Sequence, residues 1–385
     1  MSEGSWIRKM FEEGIALKQR FGAENVFDLS LGNPIMEPPT EFLRELKLLA
    51  ENPLPGMHRY MENAGYVATR AAVAAQLSSD TKPGFTAEDV IMTCGAAGAL
   101  NVVLGTLLEQ GDEVIVFAPY FVEYIHYISR FYGVTKIVPS DEQFIPRLDA
   151  LDAAISPKTK AIILNSPNNP TGVVYSEAFL KQLDELLRNK EKQLGTQISL
   201  ISDEPYRKII FDGLKYSSPL CHHPQSIIVT SHSKDLALPG ERIGYIAVNP
   251  QYFQKKELID GLIYCNRTLG FVNAPALMQH IVGRLQGVTV PVAEYEQKRN
   301  FIYESLTDMG YSLVKPQGAF YMFPKSPVED DVAFVRELQQ WQVLTVPGRG
   351  FGSPGYFRIS YCVDERTIKG ALAGFRQAAL KFKLR

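Results

Sequence analysis

Apolar residues recur along the chain in two rhythms. From Asp89 onward, short aliphatic and β-branched runs alternate with amphipathic stretches. Val90-Ile91-Met92-Thr93 predicts a strand, Gly95 to Glu109 a helix, and Gly111-Asp112 a turn. The cycle repeats as a strand over Glu113 to Phe117, a helix near Phe121 to Tyr132 and a strand over Val134 to Val138. Lys160 to Leu164, Ile198 to Ser202, Ile227 to Thr230 and Ile243 to Val248 add further strands. Unbroken apolar strands separated by helices predict a parallel α/β sheet. Functional side chains in such a sheet gather beyond the strands' C-terminal ends.

After Pro250 the rhythm becomes helical, with a long charged helix from about Ala293 to Met309 that stops at Gly310. Strands near Ala319 to Phe323, Val343 to Val346 and Tyr356 to Tyr361, set among helices, predict a smaller α+β domain. At the other end, Trp6, Ile7, Met10, Phe11, Ile15 and Leu17 stand at helical spacing among charges over residues 1 to about 24. This reads as an amphipathic arm that packs on another element or subunit. Val26 to Leu31 alternates like a short strand and ends at Gly32-Asn33-Pro34. Gly56 to Gln76 is a tyrosine-bearing loop followed by an alanine-rich helix.

Composition narrows the class without naming a chemistry. The 385 residues are 45% hydrophobic and 21% charged, with a formal net charge of −2. That suits a large core and two domains, and it gives no electrostatic footprint for nucleic acid or an acidic membrane. Cys94, Cys221, Cys265 and Cys362 are dispersed and show no metal-ligand spacing, so they read as reduced thiols. The opening MSEGSWIRKMFEEG lacks the apolar core of a signal peptide, and no stretch has the length of a membrane span. A cytoplasmic protein with small soluble partners is expected.

Candidate chemistry centres on Ser226 to Gly244. A buried strand gives way to Ser231-His232-Ser233-Lys234, and Arg242 follows a Pro239-Gly240 turn that folds the chain back. An amine, hydroxyls and a guanidinium then converge. Together they suit a ligand bearing an aldehyde for the lysine and a phosphate for the others, although a solvated surface lysine is the alternative. Gly95-Ala96-Ala97-Gly98-Ala99 joins a strand to a helix whose N-terminus favours anions; tight helix packing explains the small residues equally well. Asn165 to Gly172 builds a rigid turn past a strand, able to fix an Asn amide. Asp203, at the end of the next strand, needs a cationic partner if buried, or else caps a helix. Arg358 alternates with Ser360 among apolar residues and requires an anion, either a ligand carboxylate or an internal salt bridge. Gly348-Arg349-Gly350-Phe351-Gly352 leads into a strand, which excludes a dinucleotide loop.

Taken together these segments resemble the class I and II aminotransferases, the fold-type I enzymes dependent on pyridoxal 5′-phosphate. The resemblance rests on LSLGNP, Arg59-Tyr60, GAAGAL, PYF, NSPNNPTG, SDEPY, SHSK with Arg242 downstream, and FRIS, in that order from Leu29 to Ser360. It implies a mostly parallel seven-stranded sheet flanked by helices, plus a smaller α+β domain. The corresponding division is an arm and part of the small domain over 1–40, a cofactor-binding domain over 41–285 and a C-terminal domain over 286–385.

By the same resemblance Lys234 forms a Schiff base with the cofactor and moves the proton at the substrate Cα. Asp203 keeps the pyridine nitrogen protonated, Asn169 and Tyr206 hydrogen-bond the phenolic oxygen, and Phe121 stacks on the ring. The phosphate lies among Ala96, Ala97, Ser231, Ser233, Arg242 and a Tyr60 from the second subunit of a homodimer. Arg358 clamps the substrate α-carboxylate, with Gly32 and Asn169 nearby. His232 gains no role and reads as packing. Some relatives carry a lysine where Ala97 stands and use it for a distal carboxylate; its absence weakens an aspartate assignment and leaves Arg59, Arg267 and Arg349 as the possible cations. The expected reaction moves an amino group between an L-amino acid and a 2-oxo acid. The alternatives are a β-eliminating lyase on the same fold, which uses the same residues at Cα, and a non-catalytic cofactor-binding regulator. The segment before Leu29 is too short and too weakly basic for the DNA-binding module of such a regulator.

Overall fold

The computed structural model describes residues 6–81 and 83–384. Residues 1–5 of the expected arm lie outside the described residues, as do the side chains of Ile7 and Phe11. The rest of the arm is the helix Trp6–Phe21, which buries Met10 against the main core.

Among the described residues twelve strands carry the fold. They are β1 (Phe27–Asp28), β2 (Val90–Thr93), β3 (Glu113–Ala118), β4 (Val134–Pro139), β5 (Thr159–Asn165), β6 (Ser199–Asp203), β7 (Ser226–Ser231), β8 (Gly244–Val248), β9 (Tyr321–Met322), β10 (Val343–Leu344), β11 (Val346–Pro347) and β12 (Phe357–Ser360). β2 to β8 form a seven-stranded sheet in the order β2-β8-β7-β6-β5-β3-β4. Only β8 runs against its neighbours; every other pair is parallel. All but the edge strand β4 are buried along almost their whole length, because each carries apolar residues on both faces. Val116, Ile163, Ile201, Val229 and Ile246 pack into the cluster under the helices Gly95–Leu107 and Lys255–Thr268. On the opposite face Ile115, Ile162 and Leu200 continue into a cluster that also takes Phe320, Phe357 and Phe375. The sheet core and the C-terminal elements therefore share one body of apolar contact.

The second sheet is antiparallel in the order β11-β12-β9, while β1 pairs in parallel with β10. Here strands are shorter than the sequence pattern predicts. The expected strand over Val26 to Leu31 pairs only at Phe27 and Asp28, since Asp28 Oδ1 accepts bonds from the Ser30 amide and hydroxyl and turns the backbone out of the ladder. The strand near Ala319 begins at Tyr321, because Ala319 sits at a left-handed φ of 57°. The long helix closely matches expectation at Val292–Asp308, whereas the one near Phe121 is shorter at Tyr124–Arg130.

Candidate active site

A cavity of about 300 Å³ opens along the edge where the parallel strands end. Asp203 closes β6, Asn169 lies in the turn beyond β5, and Phe121 follows β3. Ala96 and Ala97 start the helix after β2, while Ser231 ends β7 and Lys234 stands in the short helix His232–Asp235 beyond it. Because β8 is antiparallel, its first residue lies at this edge: Gly244 pairs with both Thr93 and Ser231. Arg242, just before Gly244, is delivered to the cavity by that reversal. Gly32, Tyr206, Ser233 and Arg358 complete the convergence, so of the residues expected to hold the cofactor or the α-carboxylate all but Tyr60 line one space.

One end of the cavity is built for an anion. The Ser231 hydroxyl donates to that of Ser233 at 3.1 Å, and Arg242 Nη1 donates to the Pro239 carbonyl at 2.8 Å. Gly95 has φ +73°, and a Cβ there would stand 2.7 Å from Arg242 Nη2. The glycine thus lets the guanidinium sit against the helix N-terminus, whose free amides and dipole add to its charge.

At the centre, Asp203 is buried and its Oδ2 accepts a 2.5 Å bond from the Tyr124 hydroxyl. Its Oδ1 has no partner among the described residues. Burial pushes its carboxyl up to about 7; Tyr124 pulls against this, and the buried Glu204 next to it adds to it. Such an oxygen is poised for a protonated ring nitrogen and is costly without one. The helix-cap alternative fails, since Asp203 ends a strand and its carboxylate faces Tyr124. Lys234 Nζ donates to the Gly32 carbonyl at 2.8 Å. Burial pulls its amine down to about 8, with Cys362 opposing and Arg242 and Arg358 assisting, so a reactive unprotonated fraction exists near neutrality.

At the other end, Arg358 is 1% exposed and lies over the rings of Tyr321 and Phe351, 4.7 and 4.8 Å from their centroids. It donates to Asn169 Oδ1 at 3.0 Å and to the Ser30 carbonyl at 2.6 Å, and its Nε has no partner among the described residues. Both acceptors are neutral, so the internal salt bridge weighed from the sequence is not what balances it. A buried guanidinium held only by neutral groups calls for a ligand carboxylate.

Sequence reasoning missed Tyr124, Tyr321 and Tyr127, and took Asn165 only as the start of the turn. Asn165 fixes the turn: its amide donates to the Asp203 carbonyl at 2.9 Å and its oxygen accepts from the Asn169 amide at 2.8 Å. Tyr124 stands one helical turn after Phe121, which was the available signal. His232 does more than pack: its Nδ1 lies 3.2 Å from Asp235 Oδ2, which also meets Lys208 Nζ at 3.2 Å. Burial works against Asp235, yet His232 and Lys208 hold its carboxyl down to about 2 and so pin the short helix that carries Lys234.

The candidate distal cations are accounted for differently. Arg349 is tied to Asp331 at 2.7 Å and to Asp330 at 2.7 Å. Arg59 and Arg267 lie outside the cavity lining, Arg59 beside Tyr60 on the outer surface and Arg267 against the Tyr264 ring. Tyr60 is 90% exposed.

An anion end, a buried carboxylate oxygen without a partner and a depressed lysine amine are the complement of pyridoxal 5′-phosphate, with its phosphate, ring nitrogen and aldehyde. The cavity residues fit that group.

The comparisons agree with this chemistry. The sequence pattern described as Aminotransferase class I and II matches residues 24–375. A probable aspartate aminotransferase of Methanocaldococcus jannaschii is 33% identical over 353 residues, covering 90% of this chain and 91% of its own. A probable aspartate/prephenate aminotransferase of Thermus aquaticus is also 33% identical, over 94% of each chain. Among solved structures, an amino transferase from Eubacterium rectale superposes with a TM-score of 0.96 at 40% identity, covering 99% of this chain and 96% of its own.

Proposed function

We propose, from the premise that this chain belongs to the class I and II aminotransferase family, that Lys234 is its reactive amine and Asp203, Arg242 and Arg358 are its three charged anchors. The chain is a pyridoxal 5′-phosphate-dependent aminotransferase acting on an amino acid and a 2-oxo acid. When bound, pyridoxal 5′-phosphate supplies an aldehyde for amines and a ring that accepts electron density from the substrate α-carbon.

The residues divide the remaining work. Lys234 binds the aldehyde end and, once a substrate amine takes its place, holds and returns the proton at the substrate α-carbon; an amine near 8 suits both directions of transfer. Asp203 Oδ1 holds the ring nitrogen protonated, with Tyr124 fixing the carboxylate from its other oxygen. Asn169 and Tyr206 bind the ring oxygen, and Phe121 covers one ring face. Ser231, Ser233, Arg242 and the amides at Ala96 and Ala97 bind the phosphate. Arg358 orients the substrate through its α-carboxylate beside Gly32. We further propose a cytoplasmic homodimer in which the exposed Tyr60 of one subunit reaches the phosphate end of the other. An aromatic side chain that stands almost fully exposed on a loop supports that reading.

The observation that carries the assignment is the presence in one cavity of a depressed amine, an unpartnered carboxylate oxygen and a guanidinium bonded only to neutral groups. Borohydride treatment of the loaded protein should fix the cofactor on Lys234. Lys234→Ala should lose that adduct and both half reactions, amino acid with the aldehyde form and oxo acid with the amine form. An adduct that persists elsewhere in the variant with activity intact refutes the assignment.

A further inference from the structure

Tyr321 touches Arg358, Tyr206 and Gly32 at the substrate end, and no role has been given to it above. It stands in β9, where it pairs with Ser360 of β12, and Arg358 lies on the same face of β12. The Arg358 guanidinium therefore rests on the Tyr321 ring, 4.7 Å from its centroid. At the far end of the ring, the hydroxyl meets that of Tyr206 at 3.0 Å, and the two rings are edge-on. The same hydroxyl fills the position that a Gly32 Cβ would need, and the Gly32 carbonyl is the acceptor for Lys234. One buried side chain thus joins the guanidinium, the hydroxyl at the ring oxygen and the backbone that holds the lysine.

We propose that Tyr321 is a positioning residue with two separable parts: its ring sets the plane of Arg358, and its hydroxyl sets Tyr206. The proposal rests on the roles assigned above to Arg358 and Tyr206. A guanidinium spread on an aromatic face presents its fork edge-on to a carboxylate in the plane of the cation. When the Tyr321 hydroxyl donates to the Tyr206 oxygen, the single Tyr206 proton is left for the ring oxygen and Tyr206 becomes a stronger donor, because hydrogen bonds in a chain polarise one another. With that donor weakened, the ring oxygen keeps more negative charge and the proton beside Lys234 is held to higher pH.

Two variants separate the parts. The readouts are the pH midpoint of the visible absorbance of the pyridoxal phosphate-loaded protein and the Kd of pyruvate for that form, since pyruvate carries the carboxylate but no amine. Tyr321→Phe should raise the midpoint by about half a pH unit or more and leave the pyruvate Kd within about twofold. Tyr321→Leu should raise the midpoint as well and weaken pyruvate about tenfold, the loss of one cation–π contact. An unmoved midpoint in Tyr321→Phe overturns the hydroxyl part. A tenfold loss of pyruvate in Tyr321→Phe, or an unchanged Kd in Tyr321→Leu, overturns the ring part. If the leucine variant does not fold, the phenylalanine variant decides alone, because its prediction is a split between the two readouts. Borohydride fixation is run first on the wild type: absence of the Lys234 adduct refutes the Lys234 reading, whereas an adduct with unmoved readouts refutes the role of Tyr321.

Discussion

Asp203 makes the apoprotein's stability depend on pH in a way that a single substitution removes. Its carboxyl lies at about 7 in the fold against 3.8 for the free group, because it is buried with one oxygen unpartnered. The folded state then holds a proton that the unfolded chain has released between roughly pH 4 and 7. Stability contributed by the neutral acid is complete below about pH 4 and is lost as pH rises through 7. A difference of about three pH units corresponds to about 4 kcal/mol, reached at a slope of about 1.4 kcal/mol per pH unit. Asp203→Asn keeps an acceptor for Tyr124 and cannot ionise, so it should escape the loss. The assay is denaturant unfolding of both apoproteins from pH 4 to 8 at one fixed protein concentration. The variant should match the wild type near pH 4 and exceed it by up to about 4 kcal/mol at pH 8. Tyr124→Phe serves as a second arm: it removes the bond that favours the ionised carboxylate and should carry the wild-type loss to higher pH. Glu204, also pushed up by burial, is present in all three proteins, and its repulsion of an ionised Asp203 is part of the difference that Asp203→Asn removes. A stability difference between wild type and Asp203→Asn that stays flat from pH 4 to 8 refutes the reasoning.

The remaining predictions concern the two cations. In the apoprotein, capture of an aromatic aldehyde that lacks a ring nitrogen should quicken about tenfold per pH unit and level off above about 8, where the Lys234 amine is free; a rise that continues to pH 10 contradicts a depressed amine. Arg358→Leu should weaken every amino acid and oxo acid by about 2–5 kcal/mol in half-reaction titrations, with Arg358→Lys intermediate because a point charge lacks the two-pronged geometry. Loss confined to one side-chain class would give Arg358 a different role.

Which parts of the site are legible in the sequence follows from how each residue is held. Asp203, Asn169, Ser231 and Lys234 are fixed by local chain: each lies at or just past the end of an apolar run, and a parallel sheet brings such ends to one edge whatever the distance between them in sequence. Arg242 was legible only by its turn, and the reason it reaches the cavity, the reversal of β8, depends on strand order that the apolar pattern does not carry. The short strands β1 and β9 were overestimated for a local reason, since periodicity does not report the Asp28 turn or the left-handed Ala319. The His232–Asp235 pairing was visible in principle as an i, i+3 spacing, once the segment is known to be helical.

Tyr124 and Tyr321 differ in kind. Their partners Asp203 and Tyr206 are 79 and 115 residues away, and beyond the spacing of Tyr124 from Phe121 nothing in the surrounding pattern distinguishes a core tyrosine from one whose hydroxyl meets a site residue. What marks them is the state of the partner: an Asp203 with one oxygen engaged and one open, and a Gly32 whose missing side chain makes room for a hydroxyl. Gly32 reads from the sequence as a turn and, by the family resemblance, as a neighbour of the α-carboxylate, but not as room for a tyrosine hydroxyl. Its steric requirement comes from Tyr321, so the glycine and the tyrosine constrain each other, and any side chain at 32 must displace the hydroxyl from Tyr206. Asp203, Asn169, Ser231 and Lys234 are thus placed by the ends of the parallel strands, whereas Tyr321 reaches Arg358 and Tyr206 through the pairing of β9 with β12.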